Sequence, residues 1–415
     1  MLSVREARDR ILDAVRPLPA ENVSLEDARG RVLAEAIVAS RDVPPFANSA
    51  MDGYAVRVED IRNAGPQRPV RLPVRGEIRA GGAPPGPLPD GSVFRIMTGA
   101  PIPAGSNAVV RLEDTAESDG VVDIRVSVEE GTSIRKAGSD IREGDRIADA
   151  GRVVTPGLIG VIASSGRDTV PCIRSPRVLL LSTGDELRSA TDRLEPGQIV
   201  NTNRYALRAA MEEAGAVVID AGVARDDVAD LARRLQQAQS ADLVVSTGGV
   251  SMGAYDLVRE VVSKQGTIDF WQVAVRPGKP LAFGSIHGVP LIGLPGNPVS
   301  ALVGFELFVR PALLRMQGRT LLERPRRPAR LDVDLQSPPH LEQYFRGVAR
   351  EEEDGSLRVG LTGDQGSHVL RSMAEANCLI PMPAGAGVMP AGSVVEVIML
   401  SDAQTGATRD AQQAR

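Results

Sequence analysis

Two stretches in the second half of the chain decide the fold: RVLLLSTGDEL (residues 177–187) and DLVVSTGGVSMGAYD (residues 242–256). Each is a continuous apolar run of strand length that ends at a Ser-Thr-Gly turn. Helical patterns follow over 203–214 and 255–264, with a further strand pattern, VVIDA, between the two stretches. Apolar strands that alternate with helices are typical of a parallel sheet covered on both faces. The sequence therefore predicts a central αβ domain over residues 177–325.

The regions on either side of this domain have a different texture. Short β-prone runs interrupted by Gly-rich and Pro-rich turns fill much of the first half, and similar runs return near the end. A chain of 415 residues is too long for one core, so several domains are expected. We predict a multidomain α/β plus β protein that adds four parts to the central domain: an elongated helical linking domain (1–46 and 147–176), a glycine-rich, mostly β domain (47–146), a C-terminal β-barrel-like domain (326–402) and a disordered tail (403–415).

Local signals predict where several elements begin and end. A capping-box pattern at Ser3 predicts a helix at the start of the chain. A second, short helix is predicted between Ser24 and Gly30. Late in the central domain, Pro311 is predicted to kink or end a helix, and the run RPRRP (324–328) is interpreted as a linker.

Composition narrows the classes of function. The net charge of -5 provides no basic field, so nucleic acid is not expected as a partner. Cys172 and Cys378 lie far apart and outside any C-x-x-C spacing, which argues against a disulfide framework or structural zinc and fits a reducing cytoplasm. The amino terminus lacks the apolar core of a signal peptide, and no apolar run reaches 18 residues, so neither export nor a membrane span is expected.

The two Ser-Thr-Gly turns are candidates for binding phosphate. In an open parallel sheet, ligands bind beyond the carboxyl ends of the strands, where both turns are placed. Small side chains there let backbone N–H groups converge on an anion, so residues 247–256 are predicted to cradle a ligand phosphate. Asp185, Glu186 and Asp256 supply carboxylates that suit Mg²⁺ beside phosphates. Ordinary turns with helix-capping acids remain the alternative.

Known nucleotide motifs do not account for these turns. The chain has no G-x-G-x-x-G after a strand and no G-x-x-x-x-G-K-[ST]. GVSMG (249–253) does match the G-x-S-x-G nucleophile elbow, with Ser251 as nucleophile. The histidines are His287, His340 and His368, and the last two fall in the predicted β domain, which disfavours a serine hydrolase without eliminating it.

Three further stretches carry candidate groups. VRPGKP presents Arg276 and Lys279 on a rigid turn that suits an oxyanion, although a solvated basic turn would look the same. GLPGNPVSA (293–301) starts a helix near Pro298, whose first N–H groups can face an anion. Asp52, in PPFANSAMDGYAV, is either catalytic or a turn former, and spacing alone favours the turn.

Taken together, these stretches resemble molybdopterin molybdenumtransferase, the family that includes the gephyrin E domain. The resemblance covers residues 1–400 and is carried in order by NSAMDGYA, RIMTGAPIP, STGDEL, STGGVSMGAYD, RPGKP, LPGNPVSA, YFRGVA and QGSHVLRSMAEAN. It implies transfer of molybdate into the dithiolene of adenylyl-molybdopterin, with release of AMP and help from Mg²⁺. It also implies a homodimer in which Asp52 and Thr98 act across the subunit boundary.

The resemblance also implies a set of site residues. Those for the pterin phosphate, the nucleotide and the metal are Thr183, Gly184, Asp185, Glu186, Ser246, Gly248, Gly249, Ser251, Gly253 and Asp256. Those for molybdate and the neighbouring turns are Arg276, Lys279, Pro280, Pro295, Pro298, Ser300, Arg346 and Ser367. Asp185, Glu186 and Asp256 are the implied metal ligands, and Asp256 and Glu186 are the candidates for placing Mg²⁺ or water. Ala47 stands where many relatives have Asp, which we interpret as a tolerable change near the cleft between subunits. Gln272 stands where some relatives have a basic residue, which predicts weakened or redistributed anion binding.

Two other functions fit parts of the pattern. A gephyrin-like scaffold is disfavoured because the implied site acids are retained and no trimerising or receptor-binding module is evident. An adenylyltransferase resembles residues 177–319 alone, and the flanking β regions argue against it. Transient contacts with proteins that supply molybdopterin and receive the cofactor are expected, but none with nucleic acid or membrane.

Overall fold

The computed structural model describes residues 1–225, 227–248, 255–401 and 404–405, with only the backbone described at 255–259, 270 and 404–405. The chain forms two compact units, one of residues 22–172 and the other of residues 1–21 and 173 onward. The first helix, α1 (Val4–Ala14), begins where predicted. Ser3 Oγ accepts the N–H of Glu6 at 3.1 Å, while the Glu6 carboxylate accepts the N–H of Ser3 at 2.8 Å. This capping box satisfies two N–H groups at the start of the helix.

The unit of residues 22–172 is built on a six-stranded sheet. Its strands are β1 (Gly53–Val56), β2 (Val70–Ile78), β3 (Val93–Ile96), β4 (Ala108–Arg111), β5 (Thr115–Ser118) and β6 (Val121–Ile124). The spatial order is β4-β1-β3-β2-β6-β5, and only β2 and β3 pair in parallel. Two short ladders join Ile37–Val38 to Arg146–Ala148 and Asn48–Ser49 to Ile134–Arg135. Helix α2 (Pro156–Ser164) is capped by Thr155 and packs on a separate small core.

The prediction of a short helix between Ser24 and Gly30 is wrong, since the chain forms a turn there after the strand Ala20–Ser24. The hydroxyl of Ser24 accepts the N–H of Asp27 at 3.3 Å and donates to its carboxylate at 2.9 Å. This local pairing satisfies one turn, and so few residues cannot offset the cost of starting a helix. A second strand, Thr169–Ile173, follows α2.

The central sheet of the other unit is mixed. Its strands are β7 (Arg177–Thr183), β8 (Val217–Ala224), β9 (Leu243–Thr247), β10 (Gly266–Gln272), β11 (Pro280–Ile286) and β12 (Val289–Leu294). Their order is β8-β7-β9-β12-β11-β10, in which the first four strands pair in parallel while β11 pairs antiparallel with both β12 and β10. The predicted αβ domain is confirmed with an antiparallel edge. That edge arises because β11 and β12 are joined by His287 and Gly288, both at positive φ, as a two-residue hairpin requires.

Helices cover both faces of this sheet. They are α3 (Thr202–Glu213), α4 (Val228–Leu235), α5 (Tyr255–Gln265), α6 (Pro298–Gly304) and α7 (Arg310–Met316), with a 3₁₀ turn at Gln236–Ser240 and a π turn at Phe305–Val309. Successive residues of β7 alternate between two cores, with Val178 and Leu180 on one side and Leu179 and Leu181 on the other. Helix α1 packs into the first of these cores. The predicted division of the chain into five parts, which groups residues 1–46 with 147–176, stays a prediction.

Pro311 does not end its helix. The helical path continues through α7 to Met316, and Pro311 lies in the first turn of α7. Proline has no N–H for the carbonyl four residues earlier and clashes with it in a regular helix. The π turn immediately before α7 widens the path there, with the N–H of Arg310 bonded to the carbonyl of Phe305, so the clash is relieved.

The C-terminal region forms a closed five-stranded barrel, as the prediction of a β-barrel-like domain required. Its strands are β13 (Arg326–Leu331), β14 (Glu342–Glu351), β15 (Leu357–Leu361), β16 (Cys378–Met382) and β17 (Val394–Met399). Closure follows the pairings β14-β15-β13-β17-β16-β14. The linker predicted at 324–328 is wrong for its last three residues, which pair with β17.

Short elements complete this unit. They are helix α8 (Arg371–Glu375), the ladder of Leu187–Arg188 with Ile199–Val200, the ladder of Leu335–Gln336 with Val388–Met389, and the strands Val275–Arg276 and Gln404–Thr405 that join β14. Most of the predicted tail lies outside the described residues. Over the part of the chain that is described, no helix has the length and apolar character needed to cross a bilayer.

Candidate functional site

A cavity of about 620 Å³ opens at the carboxyl edge of the central sheet. The parallel strands β7, β9 and β12 all end at this edge, which brings three turns together. Its walls are Thr183, Gly184, Glu186, Leu187, Ile199, Val200, Asn201, Thr202, Asn203, Thr247, Gly248, Pro280, Pro295, Gly296, Asn297 and Pro298. Seven residues nominated from the sequence therefore share one cavity: Thr183, Gly184, Glu186, Gly248, Pro280, Pro295 and Pro298.

The turn after β7 brings a carboxylate back over its own backbone. Gly184 has a φ of 142°, and a Cβ on it would lie 2.6 and 2.7 Å from the carboxylate oxygens of Glu186. The absent side chain therefore leaves the space that the carboxylate fills. Asp185 is exposed on this turn, and its carbonyl accepts a hydrogen bond from Arg188 at 2.8 Å.

The turn after β9 contacts the first one directly. Gly248 has a φ of 84°, and a Cβ there would lie 2.6 Å from the carbonyl oxygen of Thr183. Its own N–H donates to the carbonyl of Leu294 at 3.3 Å, so this turn also reaches the end of β12. Ser246 is buried within the sheet, in register with Leu181 and Gly293.

The rest of the predicted phosphate cradle lies outside what the structure describes. Gly249, Ser251 and Gly253 are outside the described residues. Asp256 lies in helix α5, but its side chain is outside the description. The assignments of these four residues stay predictions.

Two asparagines on the cavity wall were missed by the sequence reasoning. Asn203 donates from Nδ2 to Thr247 Oγ1 at 2.7 Å and to the carbonyl of Gly296 at 2.8 Å, so it ties α3 to two of the turns. Asn201 caps α3 by accepting the N–H of Arg204 at 3.1 Å. The available signal was an Asn-x-Asn pair at a helix start, where asparagine is a preferred cap. The predicted helix start at Asn203 was one residue late.

The basic turn lies beside the cavity. Pro280 is on the wall, and the side chains of Arg276 and Lys279 are exposed without an ion pair to any described residue. Gly278 has a φ of 104°, and its Cβ position lies 3.4 Å from the carbonyl oxygen of the buried Ser300. The turn therefore packs on helix α6 while its two cations face outward.

The barrel reaches the cavity through a loop. Arg346 is only 1% exposed and donates to Ser372 Oγ at 3.1 Å and to the carbonyl of Gly366 at 3.3 Å. Burial lowers the pKa of its guanidinium. The next residue of that loop, Ser367, accepts a hydrogen bond from Asn297 on the cavity wall at 3.2 Å. Ser367 thus contacts the wall, whereas Arg346 supports the loop from within the barrel.

Asp52 and Thr98 form a pair in the unit of residues 22–172. The backbone N–H and the hydroxyl of Thr98 both donate to the same Asp52 oxygen, each at 2.7 Å. These two bonds, the backbone one foremost, hold the pKa of Asp52 below its usual value. Ala47, which differs from the Asp of many relatives, accepts a hydrogen bond at its carbonyl from the N–H of Ile102 at 3.0 Å.

Comparison with known proteins places the chain in a family. Models of the MoeA N-terminal region (domain I and II), a probable molybdopterin binding domain and the MoeA C-terminal region (domain IV) match residues 2–166, 179–315 and 328–400. The chain belongs to the MoeA family. Recognition of this family from the sequence is confirmed, and so is the transferase class.

The similarity runs along nearly the whole chain. This chain is 39% identical over 404 residues to molybdopterin molybdenumtransferase 2 of Mycobacterium tuberculosis, and the match covers 96% of this chain and 99% of that protein. It is 37% identical over 401 residues to molybdopterin molybdenumtransferase of Haemophilus influenzae, covering 96% and 98%. A molybdopterin biosynthesis moeA protein from Pyrococcus horikoshii superposes with a TM-score of 0.80 at 32% identity, covering 97% and 100%.

MoeA membership leaves no support for the serine hydrolase reading of Ser251. The nearest histidine in sequence, His287, lies in the hairpin turn that precedes β12, at the opposite end of that strand from the cavity. Ser251 itself lies outside the described residues. The family match therefore carries the preference for a transferase over a hydrolase.

The described side chains include two of the three predicted metal ligands. Among them, no three of His, Cys, Asp and Glu cluster as a metal site. Glu186 on the cavity wall and the exposed Asp185 beside it supply two carboxylates on one turn. The third predicted ligand, the side chain of Asp256, lies outside the description.

Proposed function

We propose that this chain inserts molybdate into the dithiolene of adenylyl-molybdopterin and releases AMP, assisted by Mg²⁺, as a cytoplasmic homodimer. The observation that carries the proposal is the cavity itself, where two glycine turns with a carboxylate lie next to a turn with two outward-facing cations. MoeA membership supplies the reaction class.

The two glycine turns favour a phosphorylated substrate. Glycines at positions 184 and 248 keep Cβ atoms out of the point where the turns meet, so a ligand can approach the backbone closely. Backbone N–H groups exposed at such turns bind anions well. Adenylyl-molybdopterin carries a phosphoanhydride, and this is the part of the substrate that the turns would hold.

The basic turn favours an oxyanion. Arg276 and Lys279 are exposed and form no ion pair with any described residue, so their charges are available to a ligand. An oxyanion placed between them and the cavity would lie next to the substrate. Molybdate is a tetrahedral dianion, and preorganised cations are the groups that hold such a charge.

The residues fit a magnesium ion that is shared with substrate. Mg²⁺ is commonly bound through one or two carboxylates together with water and substrate phosphates, rather than by a closed protein cage. Glu186 and Asp185 would provide the carboxylates, joined by Asp256 on helix α5. The ion would neutralise charge at the phosphoanhydride, while the glycine turns orient the substrate.

Asp52 and Thr98 are proposed to complete the site from the second subunit. The Thr98 donors lower the pKa of Asp52 and so favour its charged form, which suits a partner for a bound cation. This role rests on the family resemblance, and mixing of subunits tests it.

The proposal is tested by assaying purified variants with preformed adenylyl-molybdopterin. We expect Asp256→Ala to abolish molybdate-dependent AMP release and Glu186→Gln to reduce it at least tenfold, with the dimer still folded. The matched control is Glu195→Gln. It changes an exposed carboxylate on the loop that connects the cavity residues Leu187 and Ile199, and the variant should retain activity. Normal turnover by Asp256→Ala would remove that residue from the site, and ATP-dependent adenylylation of molybdopterin by the wild-type protein would favour an adenylyltransferase.

A further inference from the structure

Two amide side chains on the cavity wall each keep one polar atom without a partner. Asn201 and Asn203 are 3% and 7% exposed. Within the described residues, Asn201 Nδ2 and Asn203 Oδ1 are buried and make no hydrogen bond. A buried polar atom left unpaired is destabilising, so two such atoms on Asn201 and Asn203, two residues apart on one wall, call for an explanation.

Backbone groups fix the orientation of both amides. The carbonyl of Gly296 can only accept, so the nitrogen of Asn203 must face it and the oxygen is left open. The N–H of Arg204 can only donate, so the oxygen of Asn201 must face it and the nitrogen is left open. Asn203 therefore keeps one unpaired acceptor and Asn201 one unpaired donor, both buried in the cavity wall.

This pairing of donor and acceptor excludes a simple anion as its ligand. Phosphate and molybdate oxygens can accept from Asn201, but at neutral pH they give Asn203 Oδ1 at most a weak partner. A nitrogen heterocycle with an amino or ring N–H beside a ring nitrogen or carbonyl satisfies both atoms. Adenine and pterin both have such an edge.

We infer that Asn201 and Asn203 bind the hydrogen-bonding edge of the substrate's heterocycle and so determine specificity at this cavity. The inference rests on the proposed function, which supplies adenine and pterin as the two rings of one substrate. Asn203 is also tied to Thr247 and Gly296, so a ring bound there lies next to the glycine turns. Binding of the ring and placement of the phosphoanhydride are thereby linked through one side chain.

The test uses the capping role of Asn201 to separate recognition from folding. Ser and Asp cap a helix about as well as Asn, so Asn201→Ser and Asn201→Asp should keep α3 intact. Ser removes the amide donor and leaves only a shorter hydroxyl, and Asp replaces the donor with a charged acceptor. The matched control is Asp227→Ser, which changes the cap of α4 away from the cavity.

Affinities of the full-length protein are measured by calorimetry for AMP, 6-hydroxymethylpterin and ribose 5-phosphate, alongside the melting temperature. We expect Asn201→Ser to weaken the binding of one of the two heterocycles about tenfold, and Asn201→Asp to weaken it further. The affinity for ribose 5-phosphate and the melting temperature should stay unchanged. The ligand that weakens identifies the ring as adenine or pterin. Asp227→Ser should leave all three affinities as in the wild type.

Two results would overturn the inference alone. One is wild-type affinity of both Asn201 variants for AMP and for the pterin. The other is an equal loss for ribose 5-phosphate, which would make Asn201 a phosphate ligand. A wild-type protein that binds neither heterocycle would overturn the proposed substrate class and the inference with it.

Discussion

Glu186 and Gly184 show how a single missing side chain shapes the site. The carboxylate of Glu186 occupies the space where a Cβ on Gly184 would be, at 2.6 and 2.7 Å from its oxygens. The φ of 142° at Gly184 is one that only glycine adopts readily. Glycine is therefore needed twice, once for the backbone and once for the position of the acid.

We predict that Gly184→Ala reduces molybdate-dependent AMP release at least tenfold, because the new methyl group displaces Glu186 from the cavity wall. The backbone strain should also lower the free energy of unfolding by about 1–3 kcal/mol. Gly197→Ala is the matched control, since Gly197 also has a positive φ but has no atom within 4 Å of its Cβ position. It should lose a similar stability and keep its activity. Equal activities in the two variants would show that Glu186 has no role at that position.

Asp52 gives a prediction for pH. The N–H and the hydroxyl of Thr98 lower its pKa, so the carboxylate persists at a pH where an ordinary aspartate is protonated. Thr98→Val keeps the N–H donor and removes the hydroxyl, so the pKa of Asp52 should rise part of the way to its usual value. The acid limb of the activity profile should then move to higher pH. Carbon-13 NMR titration of the aspartate carboxyls, assigned with Asp52→Asn, measures this directly. An unchanged or lower pKa would contradict the assignment of Thr98.

At the scale of elements, Arg324 joins the barrel to the αβ domain. Its guanidinium donates to both carboxylate oxygens of Glu306, on the π turn, each at 3.0 Å. It also donates to the carbonyl of Leu400, at the end of the barrel, at 2.8 Å. The side chains of Arg324 and Glu306 are only 17% and 11% exposed, so this is a largely buried ion pair.

We predict that Arg324→Met lowers the free energy of unfolding by about 3 kcal/mol, because it leaves the Glu306 carboxylate buried with a weaker partner. Denaturant unfolding measures the change. Arg326→Met is the control, since Arg326 pairs with Glu323 at the surface, where removal should cost less than about 1 kcal/mol. A loss for Arg324→Met no larger than that of the control would show that the buried pair does not hold these elements together.

The sequence predicted the elements that depend on local patterns. The strands β7 and β9 and the turns that follow them were predicted because apolar runs and glycines determine the local structure of the chain. Asn203 could not be found in this way, because its partner Gly296 lies 93 residues further along the chain. The antiparallel edge strand and the π turn were missed for a similar reason, since they depend on a hairpin register and on packing around Pro311.

At the scale of the whole molecule, family motifs predicted more of the candidate site than local patterns did. The cavity gathers residues from turns that are separated by more than 100 positions. The strand pattern predicted that the two Ser-Thr-Gly turns share one sheet edge, and the ordered set of motifs added the turns at Pro280 and Pro295. Arg346 shows the limit of this reasoning, because a motif match suggested an oxyanion contact while the side chain lies buried in the barrel and supports a loop.

The homodimer gives a prediction that does not depend on the placement of the two units. If Asp52 acts in the site of the other subunit, Asp52→Asn and Glu186→Gln homodimers should each be nearly inactive. A heterodimer of the two, isolated through two different affinity tags, has one doubly substituted site and one intact site. We therefore expect about half of the wild-type molybdate-dependent AMP release. A heterodimer as inactive as its parents would place Asp52 in the site of its own subunit, and an active Asp52→Asn homodimer would place it outside the site.

The most direct test of the central claim is the dependence of AMP release on molybdate. The wild-type protein is mixed with purified adenylyl-molybdopterin and Mg²⁺, and AMP is quantified as molybdate is varied. The proposed function predicts that release rises with molybdate, saturates, and yields one AMP for each molybdenum atom inserted. AMP release that is the same with and without molybdate, or no release at any molybdate concentration, would contradict it.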